Sequence, residues 1–270
     1  MIAHPRLVVC DLDGTLVDSD KQLRSATIAA VARLRAAGIG FAVISARPRS
    51  GVMPIVTALD LKGEQAAFNG GTIFCGDGRV VERHTVDEVV VRGMFELTRT
   101  VAVEPWVFAD GRWHAAEGRG LHADRERKSS NQEPIVTADF APFYGDVDKL
   151  TLVSDDEPVL RGLREQALAL FEGRATIVQS QAYYLDVTPL AGNKGAGIRA
   201  LAESRGVALA DTIAFGDQAN DLAMIEQAGF GIAMGNAPDK VKERADAVTL
   251  SNDADGVAHA IDTMILMARA

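Results

Sequence analysis

Residues 7–15, LVVCDLDGT, carry the clearest indication of both the fold and a functional site. The apolar run 7–10 is short, rich in Val and bounded by polar residues, which predicts a buried β-strand that ends at Asp11. Asp11 and Asp13 lie two positions apart, so their side chains point to the same side if the extended backbone continues. Ligands bind at the carboxyl ends of the strands in open parallel sheets. The stretch therefore predicts a pair of carboxylates at a ligand-binding edge.

Strand and helix patterns alternate on both sides of a central segment. Predicted strands lie at 7–10, 41–44, 212–215 and 230–234. Two predicted helices carry an apolar stripe, over 23–34 and over 257–265. Three further helices are predicted over 194–205 and from Pro48 and Ala219 onward. Alternation of this kind is typical of a parallel sheet that has helices on both faces. We predict an α/β fold with a Rossmann-like, doubly wound parallel-sheet core.

The pattern changes between about Glu82 and Val187, where an α+β domain is inserted. It combines a predicted helix over 86–101 and a second helix after residue 153 with short strands at 106–108, 113–115, 149–153, 175–178 and 183–187. A polar stretch over 117–133 contains Arg125, Arg127 and Lys128, which we expect to be solvated. We predict a core formed by residues 1–82 and 188–270, with the inserted domain over 83–187.

The composition limits the classes of partner and the location. The chain has 270 residues with 28 Lys and Arg against 37 Asp and Glu, a net charge of −9, which argues against nucleic acid and anionic membranes as partners. Its five His residues form no zinc-binding motif, and two Cys cannot form a disulfide framework. No apolar run approaches the roughly 20 residues that cross a bilayer. We expect a soluble, cytoplasmic protein.

A second acidic motif, GDQAND at 216–221, follows another predicted strand. Asp217, Asn220 and Asp221 lie at i, i+3 and i+4, so they share one side of a helix that begins here. If the two strand ends are neighbours, Asp217 and Asp221 lie close to Asp11 and Asp13, and four acids converge. Such a cluster repels itself, so either some of the acids stay protonated or a cation binds among them. For a cation, oxygen ligands without His or Cys favour Mg²⁺.

Hydroxyl and ammonium groups near the same strand ends suit a phosphate ligand. Thr15 and Ser45 each offer a hydroxyl and a backbone amide at the end of a predicted strand. Lys194 opens a predicted helix, where a cation conflicts with the helix dipole unless an anion lies beside it. The segment lacks a P-loop motif, and its loose dinucleotide pattern has no strand leading into it. These residues therefore predict a phosphate site that is not built on a nucleotide-binding loop.

Taken in order, these motifs resemble the haloacid dehalogenase superfamily of phosphatases. The resemblance rests on DxDGT at 11–15, Ser45, Lys194 and GDxxND at 216–221, and it spans both halves of the core. The insertion point after 69–71 and the length of the insert resemble the Cof-like branch, subclass II with a type B cap. One departure is Ala46, which stands where the family has Gly in its second motif.

The resemblance implies a role for each acid. Asp11 would be the nucleophile that forms an aspartyl-phosphate, and Asp13 would protonate the leaving alcohol and then activate water. Mg²⁺ would be held by an oxygen of Asp11, the backbone carbonyl of Asp13 and the carboxylate of Asp217, with Asp221 nearby.

The resemblance also assigns phosphate- and substrate-binding residues. Ser45 and Lys194 would bind phosphoryl oxygens, Thr15 would offer further donors, and Asn220 would contact the phosphate or the rest of the substrate. Arg47 and Asn69 are candidates for the leaving-group side of the site. The insert would act as a lid that contacts the leaving group and excludes water.

The leading hypothesis is a Mg²⁺-dependent phosphomonoesterase acting on a small phosphate ester, such as a sugar phosphate or the phosphate of a nucleotide or vitamin precursor. One alternative is a hexose phosphomutase of the phosphomannomutase type, since such relatives share the DxDGT motif. A second alternative is a phosphoryl-accepting signalling module, although receiver domains lack a long insert and a second acid at Asp13. Both a monomer and a dimer are compatible with the sequence.

Overall fold

A computed structural model describes residues 4–267, which form two β-sheets and the helices that cover them. The strands are β1 (Leu7–Asp11), β2 (Gly40–Ile44), β3 (Glu64–Ala67), β4 (Thr72–Cys75), β5 (Val80–Arg83), β6 (Glu104–Ala109), β7 (Arg112–Ala115), β8 (Ile135–Val136), β9 (Val147–Val153), β10 (Thr176–Gln181), β11 (Tyr184–Thr188), β12 (Thr212–Gly216), β13 (Phe230–Ala233) and β14 (Ala247–Val248). The α-helices are α1 (Ser25–Ala36), α2 (Arg49–Ala58), α3 (Glu88–Thr98), α4 (Ala123–Ser130), α5 (Glu157–Phe171), α6 (Lys194–Glu203), α7 (Leu222–Gln227), α8 (Asp239–Lys242) and α9 (Gly256–Ala260).

The first sheet, which we call the core sheet, has the strand order β14-β13-β12-β1-β2-β3-β4-β5. The strands from β14 to β3 pair in parallel, whereas β4 and β5 add an antiparallel edge. Strand β1 lies between β12 and β2, with Cys10 opposite Phe215 and Asp11 opposite Ile44. The residues that follow β1, β2 and β12 therefore meet at one edge of the sheet.

Alternating side chains of β1 explain why helices cover both faces of the core sheet. Val8 and Cys10 belong to a buried cluster with residues of α1, α2 and α9. Leu7 and Val9 belong to another cluster, with residues of α6 and Met224 of α7. A strand that is buried on both faces reads as a continuous apolar run. The predicted doubly wound parallel core is confirmed, with an antiparallel edge that the sequence patterns did not reveal.

The second sheet, with α3, α4 and α5, forms a unit that we call the cap. Its strand order is β10-β11-β9-β6-β7-β8, antiparallel except for the pairing of β7 with β8. Helices α3 and α5 cover one face, where Leu150 and Leu152 of β9 are buried. The opposite face packs against the core, and the rings of Phe68 and Phe108 meet edge to face at 5.7 Å.

Part of the segment predicted as a solvated polar stretch, 117–133, forms the helix α4 and docks onto the core. Its buried residues Ala123, Glu126 and Ser130 recur at i, i+3 and i+7, so they share one side of the helix. Ser50 of α2 donates a hydrogen bond to the carbonyl oxygen of Ser130, 2.6 Å away. The contact with the core, rather than apolar periodicity, explains the position of this helix. No helix within residues 4–267 is long and apolar enough to span a membrane.

Candidate active site

The loop after β1 places two carboxylates at the carboxyl edge of the core sheet. Asp11 is the last residue of β1, and Asp13 follows two residues later. Gly14 then takes a φ of +83°, in the left-handed region that glycine adopts readily. A Cβ atom at Gly14 would overlap the carboxylate of Asp217. Glycine therefore allows this loop to lie directly against the loop after β12.

Lys194, the first residue of α6, bridges the two acidic motifs. Its side chain is 2% exposed, and Nζ lies 2.5 Å from Oδ1 of Asp11 and 2.5 Å from Oδ1 of Asp221. Burial alone would lower the pKa of Lys194, but the two carboxylates outweigh it and raise that pKa. A charged lysine at a helix N-terminus is thus balanced by carboxylates, which are the anions that its position requires.

Hydrogen bonds fix the loop that follows β12. Asp221 accepts the backbone amides of Asp217 and Gln218 on Oδ2, each at 2.8 Å. Asp217 in turn accepts the hydroxyl of Thr15 on Oδ1, at 2.9 Å, and the side-chain amide of Gln218 on Oδ2, at 3.0 Å. Both oxygens of Asp221 are therefore engaged in holding Lys194 and this loop. The loop cannot move without breaking several buried hydrogen bonds.

Three of the four predicted metal ligands form one buried cluster. Carboxylate oxygens of Asp11, Asp217 and Asp221 lie within 4.8 Å of one another. Lys194 pairs with Asp11 and Asp221 of this cluster, and its one positive charge leaves the three carboxylates with excess negative charge. Burial and the neighbouring acids raise the pKa of Asp11 to about 8 and the pKa of Asp217 to about 6. A divalent cation would stabilise the ionised carboxylates, and an all-oxygen set suits Mg²⁺.

The carboxylate of the fourth predicted ligand, Asp13, is directed elsewhere. Arg47 donates two hydrogen bonds to it, from Nε to Oδ2 and from Nη2 to Oδ1, both 2.7 Å long. Lys21 lies 2.6 Å from Oδ1. Burial would raise the pKa of Asp13, but Arg47 and Lys21 hold that pKa well below its usual range. The side chain of Asp13 is therefore ionised and paired with two cations, outside the acidic cluster.

Ser45 occupies the end of β2 and ties it to the following loop. Its side chain is buried, and Oγ accepts the backbone amide of Arg47 at 3.1 Å. Its carbonyl oxygen accepts the amide of Asn69 at 2.7 Å, and Asn69 also accepts a long hydrogen bond of 3.5 Å from the amide of Asn220. Every predicted site residue thus belongs to one of two hydrogen-bonded groups that meet at β1. These residues are Asp11, Asp13, Thr15, Ser45, Arg47, Asn69, Lys194, Asp217, Asn220 and Asp221.

Two residues on the core side of the site were not predicted from the sequence, Asn236 and Lys21. Asn236 donates a 2.8 Å hydrogen bond to the carbonyl oxygen of Gly14 and approaches Oδ2 of Asp217 at 3.5 Å. It follows β13, so its position just after a predicted parallel strand was an available signal. Lys21 lies in an irregular loop with a φ of +63°, and no pattern marked it.

Glu126 of α4 brings the cap to the same edge of the core. It is 8% exposed, and burial raises its pKa to about 7 in spite of the opposing charge of Lys149. The negative charge of Asp13 adds to this rise, and Glu126 in turn acts on the pKa of Arg47. The carboxylate of Glu126 accepts the hydroxyl of Ser129, whose carbonyl oxygen lies against Gly51, and Arg47 donates a hydrogen bond to the carbonyl oxygen of Gly51. Glu126 therefore lies where the cap packs beside the Asp13–Arg47 pair. The mixed-charge sequence of 123–130 gave no reason to single it out.

Comparisons with known proteins agree with the geometry. The family model for haloacid dehalogenase-like hydrolases matches residues 8–261. A haloacid dehalogenase-like hydrolase from Bacteroides thetaiotaomicron has a TM-score of 0.87 and 30% identity, covering 96% of this chain and 99% of that chain. Phosphatase YwpJ from Bacillus subtilis is 28% identical over 278 residues, 94% of this chain and 98% of the relative. The subclass IIB sugar phosphatase BT4131 has the same fold, with a TM-score of 0.82 at 23% identity, covering 96% of this chain and 98% of that chain.

Proposed function

Because this chain belongs to the haloacid dehalogenase-like hydrolases, we propose that it is a Mg²⁺-dependent phosphomonoesterase that hydrolyses a small phosphorylated metabolite. The proposed substrate classes are sugar phosphates and the phosphates of nucleotide or vitamin precursors. The reaction would pass through an aspartyl-phosphate on Asp11. A cytoplasmic location would fit the two free cysteines, Cys10 and Cys75.

Asp11 is the proposed nucleophile. Its Oδ1 is held by Lys194, whereas Oδ2 accepts no hydrogen bond from the residues that the structure describes. An oxygen without a donor retains its lone pairs for attack on phosphorus, and the orientation of the carboxylate is fixed through the other oxygen. Lys194 would then balance the charge that accumulates on the phosphoryl oxygens.

Asp13 is the proposed general acid and base. It would protonate the leaving alcohol and later remove a proton from the water that cleaves the aspartyl-phosphate. The two cations that bind it, Arg47 and Lys21, keep it ionised in the present arrangement. Part of this contact must loosen before Asp13 can carry a proton, and a substrate phosphate that attracts Arg47 would have that effect.

The acidic cluster fits a bound Mg²⁺. Asp11 and Asp217 would hold the ion together with the backbone carbonyl of Asp13, and Asp221 would contribute charge while it holds Lys194. When bound, Mg²⁺ would neutralise the carboxylates and allow the anionic nucleophile to approach an anionic phosphate. The raised pKa values of Asp11 and Asp217, caused by burial first and by the neighbouring carboxylates second, support this assignment, because a bound cation would favour the ionised forms.

The remaining residues would bind the phosphate and orient the leaving group. The hydroxyl of Ser45 accepts one backbone amide, so its proton is free to be donated to a phosphoryl oxygen. Thr15 would supply backbone contacts while its hydroxyl holds Asp217. Arg47 donates a hydrogen bond to Gly51, which packs against α4 of the cap, and Asn69 and Asn220 are joined by a long hydrogen bond. These three residues would hold the leaving group.

The single observation that carries the proposal is the Asp11–Lys194–Asp221 bridge beside Asp217 at one sheet edge. It is tested by measuring inorganic phosphate release from a panel of phosphate esters, with Mg²⁺ and with a chelator. We expect hydrolysis of monoesters that depends on Mg²⁺. A panel without any Mg²⁺-dependent hydrolysis would contradict the proposal.

A further inference from the structure

Strand β9 of the cap carries side chains of opposite character on its two faces. Leu150 and Leu152 are buried with α3 and α5, while Lys149 and Thr151 lie on the other face. Lys149 is 8% exposed and Thr151 is 1% exposed, so neither is a solvated surface residue. The alternation of polar and apolar residues is present in the sequence, but the burial of the polar face depends on its contact with the core.

Aromatic rings surround these polar side chains and pack against the core. The register places Lys149 opposite Phe108 and Thr151 opposite Trp106. Both rings belong to the buried cluster that includes residues of β1, α1 and α2. Nζ of Lys149 lies 5.6 Å from the centre of the Phe108 ring. The polar side chains of β9 therefore lie on the face of the cap sheet that packs against the core.

Lys149 and Asp186 form a buried ion pair on this face. Nζ of Lys149 lies 3.2 Å from Oδ1 of Asp186, and the hydroxyl of Thr151 donates a 2.7 Å hydrogen bond to the same oxygen. Buried ion pairs are costly to desolvate and add little stability, and apolar side chains of similar volume replace them readily. A ligand-binding role would explain why this ion pair is kept among the aromatic rings of this face.

Glu126 lies on the docked side of α4 together with Ala123, which is buried in the same cluster as Phe108 and Trp113. Its one side-chain hydrogen bond within the described residues comes from Ser129, at 3.1 Å. The charges that act on it include Lys149 and Asp186 from the cap and Asp13 from the core. Two buried carboxylates, those of Glu126 and Asp186, and the ammonium group of Lys149 therefore lie on the side of the cap that meets the core.

Two polar atoms on the same face lack a partner among the described residues. They are Nε1 of Trp113 and the hydroxyl of Tyr184, and both are buried. Trp113 lies opposite Phe108 in the sheet, and Tyr184 precedes Asp186 by two positions on β11, so both belong to the face that meets the core. Buried polar groups are normally hydrogen-bonded, and the hydroxyl groups of a ligand would provide the missing bonds.

The basic side chains of α4 do not alter this charge balance. Arg127 binds Asp124 and Glu133 at the surface. Arg125 is exposed and donates a 2.7 Å hydrogen bond to the hydroxyl of Tyr183, and Lys128 is exposed. The cap therefore presents net negative charge and hydrogen-bonding groups to the site.

We propose that Glu126, Lys149 and Asp186, with the unpartnered polar atoms of Trp113 and Tyr184, form the leaving-group site. This site selects a hydroxyl-rich neutral or amine-bearing leaving group and rejects one that carries a second phosphate. The inference rests on the proposed function and specifies its substrate class. A second phosphate would be desolvated beside two carboxylates and one cation, which is an unfavourable arrangement. It also disfavours the hexose phosphomutase alternative, whose bisphosphate activator carries a phosphate at both ends.

The test compares kcat/KM for p-nitrophenyl phosphate, glucose 6-phosphate, glucosamine 6-phosphate and glucose 1,6-bisphosphate. We expect the wild type to prefer each hexose monophosphate over the bisphosphate by about tenfold or more. At about pH 8, above the raised pKa of Glu126, Glu126→Gln and Asp186→Asn each remove one negative charge, so each should reduce that preference by about threefold or more. Asp124→Asn, an exposed acid on the same helix as Glu126, is the matched control and should retain the wild-type ratio.

The outcomes separate this inference from the proposed function. The inference is overturned if the wild type hydrolyses the bisphosphate as well as the monophosphates, or if the ratio is unchanged in both Glu126→Gln and Asp186→Asn. The ratio is a readout that a purely structural role of these side chains would not move. If the wild type hydrolyses p-nitrophenyl phosphate or another ester of the broader panel but neither hexose monophosphate, the inference is overturned while the proposed function stands. If no ester of that panel is hydrolysed, both fail.

Discussion

The guanidinium group of Arg47 binds the carboxylate of Asp13 through two hydrogen bonds of 2.7 Å. Bidentate pairs of this kind are stronger than single charge-assisted bonds. The pair joins the ends of β1 and β2, and Lys21 completes it at 2.6 Å from Asp13. The proposed general acid is thus held ionised by two cations, and their release is part of the proposed catalytic cycle.

Replacing Lys21 with Ala removes one of the two cations beside Asp13 and should raise the pKa of that acid. Because the general acid acts in its protonated form, activity should persist to higher pH. We expect the alkaline limb of the kcat/KM profile to move upward by roughly 0.5 to 1 pH unit, a modest shift because Lys21 is partly exposed. Lys62→Ala, which removes an exposed lysine paired with Asp60, is the control. A downward shift or an unchanged limb would contradict the assignment.

Replacing Gly51 with Ala should weaken closure of the cap. A Cβ atom at Gly51 of α2 would overlap the carbonyl oxygen of Ser129, so α4 could not dock at its present distance. We expect KM to rise by about fivefold or more and protease cleavage within α4 to become faster. Gly162→Ala, in a helix position with open space around the Cβ, is the matched control and should be neutral or stabilising. Equal behaviour of the two variants would refute tight docking of α4.

Replacing Glu126 with Gln should stabilise the protein in a pH-dependent way. Burial raises the pKa of this acid from 4.5 to about 7 in the folded state, so ionisation opposes folding. The penalty is absent below the unfolded pKa, grows as the pH rises and is complete above the folded pKa. Urea unfolding should show the variant more stable than the wild type at about pH 8, by up to about 3 kcal/mol, and less so at about pH 5.

Asp124→Asn is the control for this measurement, since its side chain is fully exposed on the same helix. The control should follow the wild type at both pH values. A Glu126→Gln variant that is less stable than the wild type at the higher pH would contradict the burial of an ionised carboxylate at this position.

Adding Mg²⁺ should stabilise the protein, and a chelator should stop phosphate release. A ligand that binds only the folded state raises the unfolding temperature, and neutralisation of the three clustered carboxylates adds to this effect. We expect the midpoint of thermal unfolding to rise by a few degrees in the wild type and by less in Asp217→Asn. Asp60→Asn, at the surface, should respond as the wild type does. An unfolding midpoint that does not respond to Mg²⁺ would count against the metal site.

The elements of the core were predictable because each one is determined locally. The run 7–10 is apolar on both faces, as a central parallel strand must be, and the stripe on α1 repeats at helical spacing. Residues that follow such strands meet at one edge of the sheet because of its topology alone. Thr15 and Asp217 could therefore be expected to lie together although they are 202 positions apart in the sequence.

The features that could not be predicted depend on contacts between distant segments. Helix α4 is largely charged, and its position depends on the surface of α2. Strands β4 and β5 have four residues each, and β5 is mostly exposed, so neither gives a sustained apolar pattern. The orientation of Asp13 toward Arg47 depends on a side-chain pairing that spacing does not reveal.

The central claim is that Asp11 is the nucleophile of a Mg²⁺-dependent phosphatase. The most direct test measures inorganic phosphate release from p-nitrophenyl phosphate by Asp11→Asn, in Mg²⁺, after circular dichroism has shown that the variant is folded. We expect the rate of phosphate release to fall by about 1,000-fold or more, because an amide cannot form the aspartyl-phosphate. Activity within about tenfold of the wild type would contradict the central claim.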